Sequence, residues 1–310
     1  MLQQLKTGQR TGFGYQMVMV CWLEISDSGL HTYQLTSISC IPGWTAERQN
    51  ASKINESVFT GRDTVRLSDG PSEDIKHLHL DGTVSDIVLH RISERPPKCT
   101  QRVDNSPDGN YAVFWQTFAE QYPFFSLRKM DWKSVDRKFR PQVSSETPLE
   151  QLFEILRQMI EPLKDAHTGI AAMDIKKDFD GWRKDSNHLD DGEWARVQEL
   201  IATRYIRGSL RSFCNGRLQF GMLDHGIGYL RISAFYGYVD RSNYGDALAA
   251  LQYSLDTIFT DESKLKDLVV DVRLNHGGDD ALGLEIASRL ANARYLSIVC
   301  VPEQLSNCQT

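Results

Sequence analysis

Long hydrophobic runs, basic clusters and C-x-x-C cysteine pairs are what this 310-residue chain lacks, and each absence removes a class of function. No stretch approaches the roughly 20 apolar residues that a transmembrane helix requires, so no spanning segment is expected. Lys plus Arg number 35 against 41 Asp plus Glu, a net charge of −6. With no basic run and no interleaving of aromatic and basic residues, that mild acidity excludes a nucleic-acid partner. The six cysteines, at 21, 40, 99, 214, 300 and 308, contain no C-x-x-C pair and no zinc-like spacing. Cys40 and Cys99 bracket the N-terminal region and read either as a bridge, in an exported protein, or as free buried thiols. The start holds a basic segment before apolar residues, but Glu24 and Asp27 interrupt it and no small-residue cleavage site follows. No signal peptide is read there. Internal repeats and low-complexity tracts are absent as well.

What is present is enough apolar content, 41%, to bury a sizeable core in one large domain or two ordinary ones. From Phe13 to about Ile92 short β-rich segments alternate with turn signals such as Ser28-Gly29, Pro42-Gly43 and Asp81-Gly82, which predicts a small β domain. His77 and His79 share one face of a strand, but no third ligand stands near them, so a solvated face is expected and no metal. Arg95 to Gly109 is polar and proline-bearing, as a linker is. Tyr111, Phe114, Trp115, Phe118 and Tyr122 then recur at helical spacing, as do Leu149, Leu152, Phe153, Leu156, Ile160 and Leu163, and both stripes read as core. Pro162 should end the second helix and deliver His167 into a loop. A further helix covers Trp194 to Tyr205, followed by a strand at Gly228 to Ser233 and a helix at Tyr244 to Phe259.

The chain is organised around Lys266 to Asn292. Leu268, Val269 and Val270 suit a buried parallel strand, and Asp271 and Arg273 bring charge to its carboxyl end. Asn275, His276, Gly277 and Gly278 form a turn, and Asp279 and Asp280 can cap a helix from Ala281, leaving unpaired N–H groups aimed into the turn. The Lys-Ser/Thr pair of a phosphate loop and the third glycine of a dinucleotide fingerprint are both missing, so no cofactor is expected.

The order Asp271, Arg273, Asn275, Gly277, Gly278 resembles the Asp-x-Arg-x-Asn-x-Gly-Gly signature of the tail-specific, or C-terminal processing, serine protease family. Gly228-Tyr-Leu-Arg-Ile-Ser with Phe235 resembles that family's preceding strand, and Asp165-Ala-His167-Thr168 its Asp-x-His-Thr element. The aromatic helical segment from Phe114 to Trp132 is similar to the one before the core in a retinoid-binding-protein-like branch. The resemblance implies an α/β core of ClpP/crotonase type, with β-α-β units and a spiral parallel sheet, preceded by a helical segment and a small β-rich N-terminal domain. The division expected is 1–97 for the β-rich domain, 98–110 for a linker, 111–207 for the helical segment leading into the core, and 208–310 for an incomplete core.

The implied activity is peptide-bond hydrolysis, which needs a nucleophile, a base and N–H donors for the oxyanion. His167 corresponds to the general base of tricorn-like members, and Gly277 and Gly278 to the oxyanion hole, with Asn275 and His276 placed to bind substrate. The implied partner is an unfolded or peptide substrate. The family's nucleophilic serine lies on a later strand-to-helix turn, in a Ser-Ala-(Ser/Gly)-x-Glu context that does not occur before Thr310. Ser288 falls in a predicted helix, Ser297 in a predicted strand from Tyr295 to Val301, and Ser306 in a polar tail. The expectation is therefore a chain cut short of its serine and lysine, inactive as given, with a sheet edge open to self-association. The alternative is a non-catalytic relative that binds a peptide or an apolar ligand in the same cleft. Export is the family habit, although the residues themselves leave the compartment open.

Overall fold

The computed structural model describes residues 21–49, 56–61, 63–102, 104–181, 191–240, 243–260 and 265–291. These fall into two compact units, the first holding 21–77 and 88–181, the second 78–87 and 191–291. The expected strand from Tyr295 to Val301, with Ser297 and Ser306, lies outside the described residues.

A seven-stranded sheet opens the chain, with β1 (Cys21–Ile25), β2 (Gly29–Leu35), β3 (Cys40–Gln49), β4 (Glu56–Gly61), β5 (Thr64–Asp69), β6 (Ile75–Leu80) and β7 (Ile87–His90) neighbouring one another in sequence order. Consecutive strands from β1 to β5 pair antiparallel, because their connections are too short for a crossover. Leu30, Cys40, Ala46, Phe59, Val65, Leu67 and Leu78 are its buried apolar residues, and Val65 and Leu67 on β5 show the alternate spacing that period-two pleating requires. Cys40 on β3 is bridged to Cys99, so of the two readings of this pair the disulfide is the one found.

Three helices complete this unit's main core. In α1 (Pro107–Gln121), Ser106 accepts a hydrogen bond from the Gly109 N–H at 3.3 Å and Pro107 occupies the first turn, where its missing N–H costs nothing. Asp131 caps α2 (Trp132–Phe139) through the Lys133 N–H, and α3 (Leu149–Ile160) follows. The aromatic stripe is core, as its spacing predicts: Tyr111, Phe114 and Phe118 are buried with Trp132, Phe139, Leu152, Leu156 and Ile160. After α3 the chain passes through a short 3-10 turn, Glu161–Leu163, and Lys164 turns it with a left-handed φ of 48°. The antiparallel pair β8 (Gly169–Ala172) and β9 (Lys177–Asp180) comes next.

The second unit contains α4 (Asp191–Leu200), continued by a π-helical turn at Ile201–Tyr205, then β10 (Arg207–Phe213), β11 (Leu218–Met222), β12 (Ile227–Ile232), α5 (Tyr244–Phe259), β13 (Asp267–Asp271) and α6 (Asp280–Leu290). Its sheet runs β10-β11-β12-β13. Leu218, Phe220, Leu230 and Ile232 form a core with Leu251 and Leu255 of α5 and Leu282 and Ile286 of α6.

The ClpP/crotonase expectation is overturned by these sheets. Instead of a spiral of parallel β-α-β units, there is a large antiparallel sheet at the N-terminus and a mixed four-stranded sheet in which, among the described strands, β12 and β13 are the pair that runs parallel. The reason is the length of the connections. Tight turns at Cys214–Gly216 and Asp224–Gly226 join β10 to β11 and β11 to β12, which forces those pairs antiparallel, whereas α5 is the one helical crossover between strands here. The N-terminal sheet is also larger than the small β domain expected, since β3 and β4 bear mixed patterns that period-two reading passes over.

Candidate active site

In each unit a buried aspartate collects a tyrosine, an arginine and the backbone N–H two residues further on. In the first, Asp165 stands in the turn between Lys164 and β8. Its Oδ2 accepts the Tyr122 hydroxyl at 2.8 Å and lies 3.4 Å from the Arg128 guanidinium. Its Oδ1 accepts the His167 N–H at 3.0 Å and is 3.4 Å from His167 Nδ1. The Asp165 carbonyl takes both the N–H and the hydroxyl of Thr168, which closes the turn. Burial pushes the Asp165 carboxyl up, but the His167 N–H, the Tyr122 hydroxyl and the Arg128 charge outweigh it and hold the group below its ordinary range. The reciprocal effect, burial first and then the Asp165 charge, lifts the Tyr122 hydroxyl to about 12.

In the second unit Asp271 ends β13. It accepts the Tyr229 hydroxyl at 2.6 Å, the Arg273 N–H at 3.0 Å and two guanidinium bonds from Arg273, at 2.9 and 2.7 Å. Burial raises this carboxyl too, yet Arg273 and Tyr229 prevail and bring it down to about 2. The loop that follows is drawn against β12 and its extension. Asn275 donates through Nδ2 to the Ile232 carbonyl at 3.0 Å and accepts the Gly277 N–H on Oδ1 at 2.7 Å. The His276 N–H donates to Ser233 O, and Phe235 forms a parallel bridge with Gly278 by donating to Gly277 O and accepting from the Asp279 N–H.

Glycine is required at 278. Its φ is 135°, and a Cβ there would lie 2.4 Å from the Phe235 carbonyl oxygen. Gly277, at φ 73°, faces open space, so conformation alone asks for glycine there. Leu274 is held at φ 55°, a strained value for a bulky side chain. Of the loop amides from Asn275 to Asp279, that of Gly278 is the one without a hydrogen-bond acceptor among the described residues.

The predicted site residues thus take different stations. His167 sits in a turn with its side chain 80% exposed. Gly278 offers an N–H, while the Gly277 N–H is already engaged. Asn275 uses both ends of its amide to brace the loop, and the His276 side chain is exposed. The helix N-terminus departs from expectation: Asp279 holds the cap position without a side-chain cap bond, and the Ala281 N–H donates to the Gly82 carbonyl of the β6–β7 turn instead of pointing free into the loop. His79 pairs with Asp86 in that same turn at 2.9 Å. Among the described residues no group of three or more His, Cys, Asp or Glu side chains could hold a metal ion.

Tyr122, Arg128 and Tyr229, and a role for Asp165, are what reading the sequence missed. One signal was available. Asp165 and Asp271 each open an Asp-x-(His/Arg) step, and an aspartate whose carboxylate accepts the N–H two residues on is a common turn device.

Residues 104–161, which span α1 to α3, match the Tricorn protease C1 domain family. No curated protein matches the chain. A solved structure described as "a putative peptidase from Parabacteroides merdae" is similar at 25% identity over 62% of this chain, with a TM-score of 0.48. This chain covers 55% of that one's length. The helical segment is accordingly similar to a domain of tricorn-type peptidases.

Proposed function

We propose that the chain is part of a serine-type endopeptidase of the tail-specific kind, acting on unfolded or peptide substrates. The observation that carries this reading is the Gly278 amide. In a strained loop at the carboxyl end of the parallel β12–β13 pair, the N–H groups of Asn275, His276, Gly277 and Asp279 are engaged, and that of Gly278 has no acceptor among the described residues. A donor fixed before substrate arrives is what an oxyanion hole supplies, since nothing then has to reorganise as charge develops. In this reading Gly278, more than Gly277, is the oxyanion donor, Asn275 braces the loop and His276 contacts substrate, while the exposed His167, in the other unit, is carried over as the general base by the family resemblance alone. The tricorn-like match over residues 104–161 supports the placement.

The Cys40–Cys99 disulfide fits an oxidising compartment. We also propose that β13, the last strand of its sheet among the described residues, carrying exposed Val269 and Val270 and followed by exposed Val272, is an edge for association with another strand.

The test uses the longest natural reading frame containing this chain, incubated with unfolded protein and a fluorophosphonate. Labelling of a serine and cleavage are expected, with cleavage lost in His167→Ala and reduced on the order of 10²-fold or more when the Gly278 donor is displaced. Cleavage that survives His167→Ala would remove the base assignment. Peptide binding with neither labelling nor cleavage would mark a non-catalytic binder.

A further inference from the structure

We infer that Asp165 is a positioning residue for His167, its carboxylate holding the imidazole in the tautomer that carries the proton on Nδ1 and leaves Nε2 as the basic nitrogen. The inference rests on the reading of His167 as a general base and assigns the group that orients it.

An ionised carboxylate only accepts hydrogen bonds. Asp165 is buried, and its Oδ2 is engaged by Tyr122 at 2.8 Å and approached by Arg128 at 3.4 Å, so the group cannot swing toward other partners. Its Oδ1 is directed at His167, at 3.0 Å from the backbone N–H and 3.4 Å from Nδ1. A bare lone pair on Nδ1 would face an oxygen that also bears lone pairs. A proton there turns repulsion into attraction, and the partner of one ring nitrogen sets the tautomer for the whole ring.

The turn makes this orientation durable. Lys164 enters at φ 48°, and the Asp165 carbonyl takes two bonds from Thr168, so the His167 Cα is fixed between two anchored residues. Nε2 lies on the far side of a ring that is 80% exposed, open to a hydroxyl proton. When Nε2 takes that proton, the Nδ1 proton stays where it is, and the resulting imidazolium faces a carboxylate already ionised. Tyr122 and Arg128 act one step further back, keeping Asp165 in its charged form.

A residue that merely tied the turn would need only the His167 N–H bond, so the ring must be read directly. The experiment is a long-range 15N–1H correlation of the His167 ring in the full 310-residue chain, at a pH where the ring is neutral. A protonated Nδ1 and an unprotonated Nε2 are expected in the native chain, with the ratio inverted in urea, where Asp165 no longer holds the ring. Asp165→Asn keeps a carbonyl oxygen for the His167 N–H but removes the charge that faces Nδ1, so it should shift the ratio toward the unfolded value in the folded state, its fold checked by the His167 amide resonance. A native ring protonated on Nε2, the same tautomer in native and urea-unfolded chain, or a folded Asp165→Asn variant with unchanged ring signals would overturn the inference. Because no hydrolysis is measured, failure of the base assignment appears separately: Asp165 would still set the tautomer while His167→Ala left cleavage of the longer chain intact.

Discussion

Asp165 and Asp271 are built alike and differ in where their arginines go. Both carboxylates are buried, both accept a tyrosine hydroxyl and the N–H two residues on, and a left-handed residue stands near each, Lys164 directly before one and Leu274 three residues after the other. Arg273 closes on Asp271 with two hydrogen bonds but is 63% exposed, whereas Arg128 is 17% exposed, approaches Asp165 at 3.4 Å, and has a buried Nε without a partner. An exposed arginine can return to water if its aspartate is lost. An enclosed one cannot, so the same device is a firm brace in one unit and a less forgiving junction in the other. The bracing also serves different ends: Asp271 anchors a loop that presents a backbone donor, and Asp165 anchors a turn that presents a side chain.

The sharpest way to break this contrast is to remove each carboxylate. Asp165→Ala should cost about 3–5 kcal/mol, because it strands a mostly buried guanidinium and the Tyr122 hydroxyl, and Asp271→Ala should cost less since Arg273 is already largely hydrated. Urea midpoints for the two variants decide it, and the reverse order would show that exposure of the arginine is not what matters. Acid is the gentler probe. The Asp271 carboxyl, at about 2 against an ordinary 3.8, contributes about 2 kcal/mol of stability. Its folded value is depressed, so that contribution is complete above the ordinary value and is lost as pH falls from about 4 through about 2. Asp271→Asn should flatten the acid limb of the stability curve over that window, and an unchanged limb would mean the carboxylate is not held down.

The glycine loop gives a third comparison within the second unit. Gly278→Ala drives a Cβ into the Phe235 carbonyl and should cost about 2–3 kcal/mol, while Gly277→Ala pays only for its positive φ, about 1 kcal/mol. Equal effects would deny the close packing of the loop against Phe235. The smallest expected difference lies between the tyrosines. Tyr122→Phe and Tyr229→Phe each remove one bond to a charged acceptor, about 1–2 kcal/mol. Tyr229→Phe should stand at the low end because Asp271 retains three bonds from Arg273. Thermal unfolding of the pair measures it.

The helices were the most legible elements. Tyr244 to Phe259 is α5 to the residue, and the stripes of α1 and α3 are buried as their periods require. The strand at Leu268, the turn at Asn275 to Gly278 and the delivery of His167 into a turn were visible too. The strands β10 and β11 escaped: Arg207 to Phe213 carries four charged or polar side chains, all exposed, and little distinguishes such a strand from a loop in the sequence alone. That hairpin makes the sheet mixed where the resemblance had implied a parallel core.

The sequence by itself determined the periodic stripes, the caps at Ser106 and Asp131, and the Asp-x-Arg-x-Asn-x-Gly-Gly loop after a short apolar strand, because each depends on residues within one or two turns of chain. The tertiary structure alone decided the rest. It brought Tyr122 to Asp165 across 43 residues and Tyr229 to Asp271 across 42, engaged the Gly277 amide and left that of Gly278 open, and gave the Ala281 N–H to Gly82. Hydrogen bonds last only within about 3 Å of good geometry. No local pattern records which distant donor will arrive within that range, and strand direction likewise follows from connection length and pairing partner, not from the residues of the strand itself.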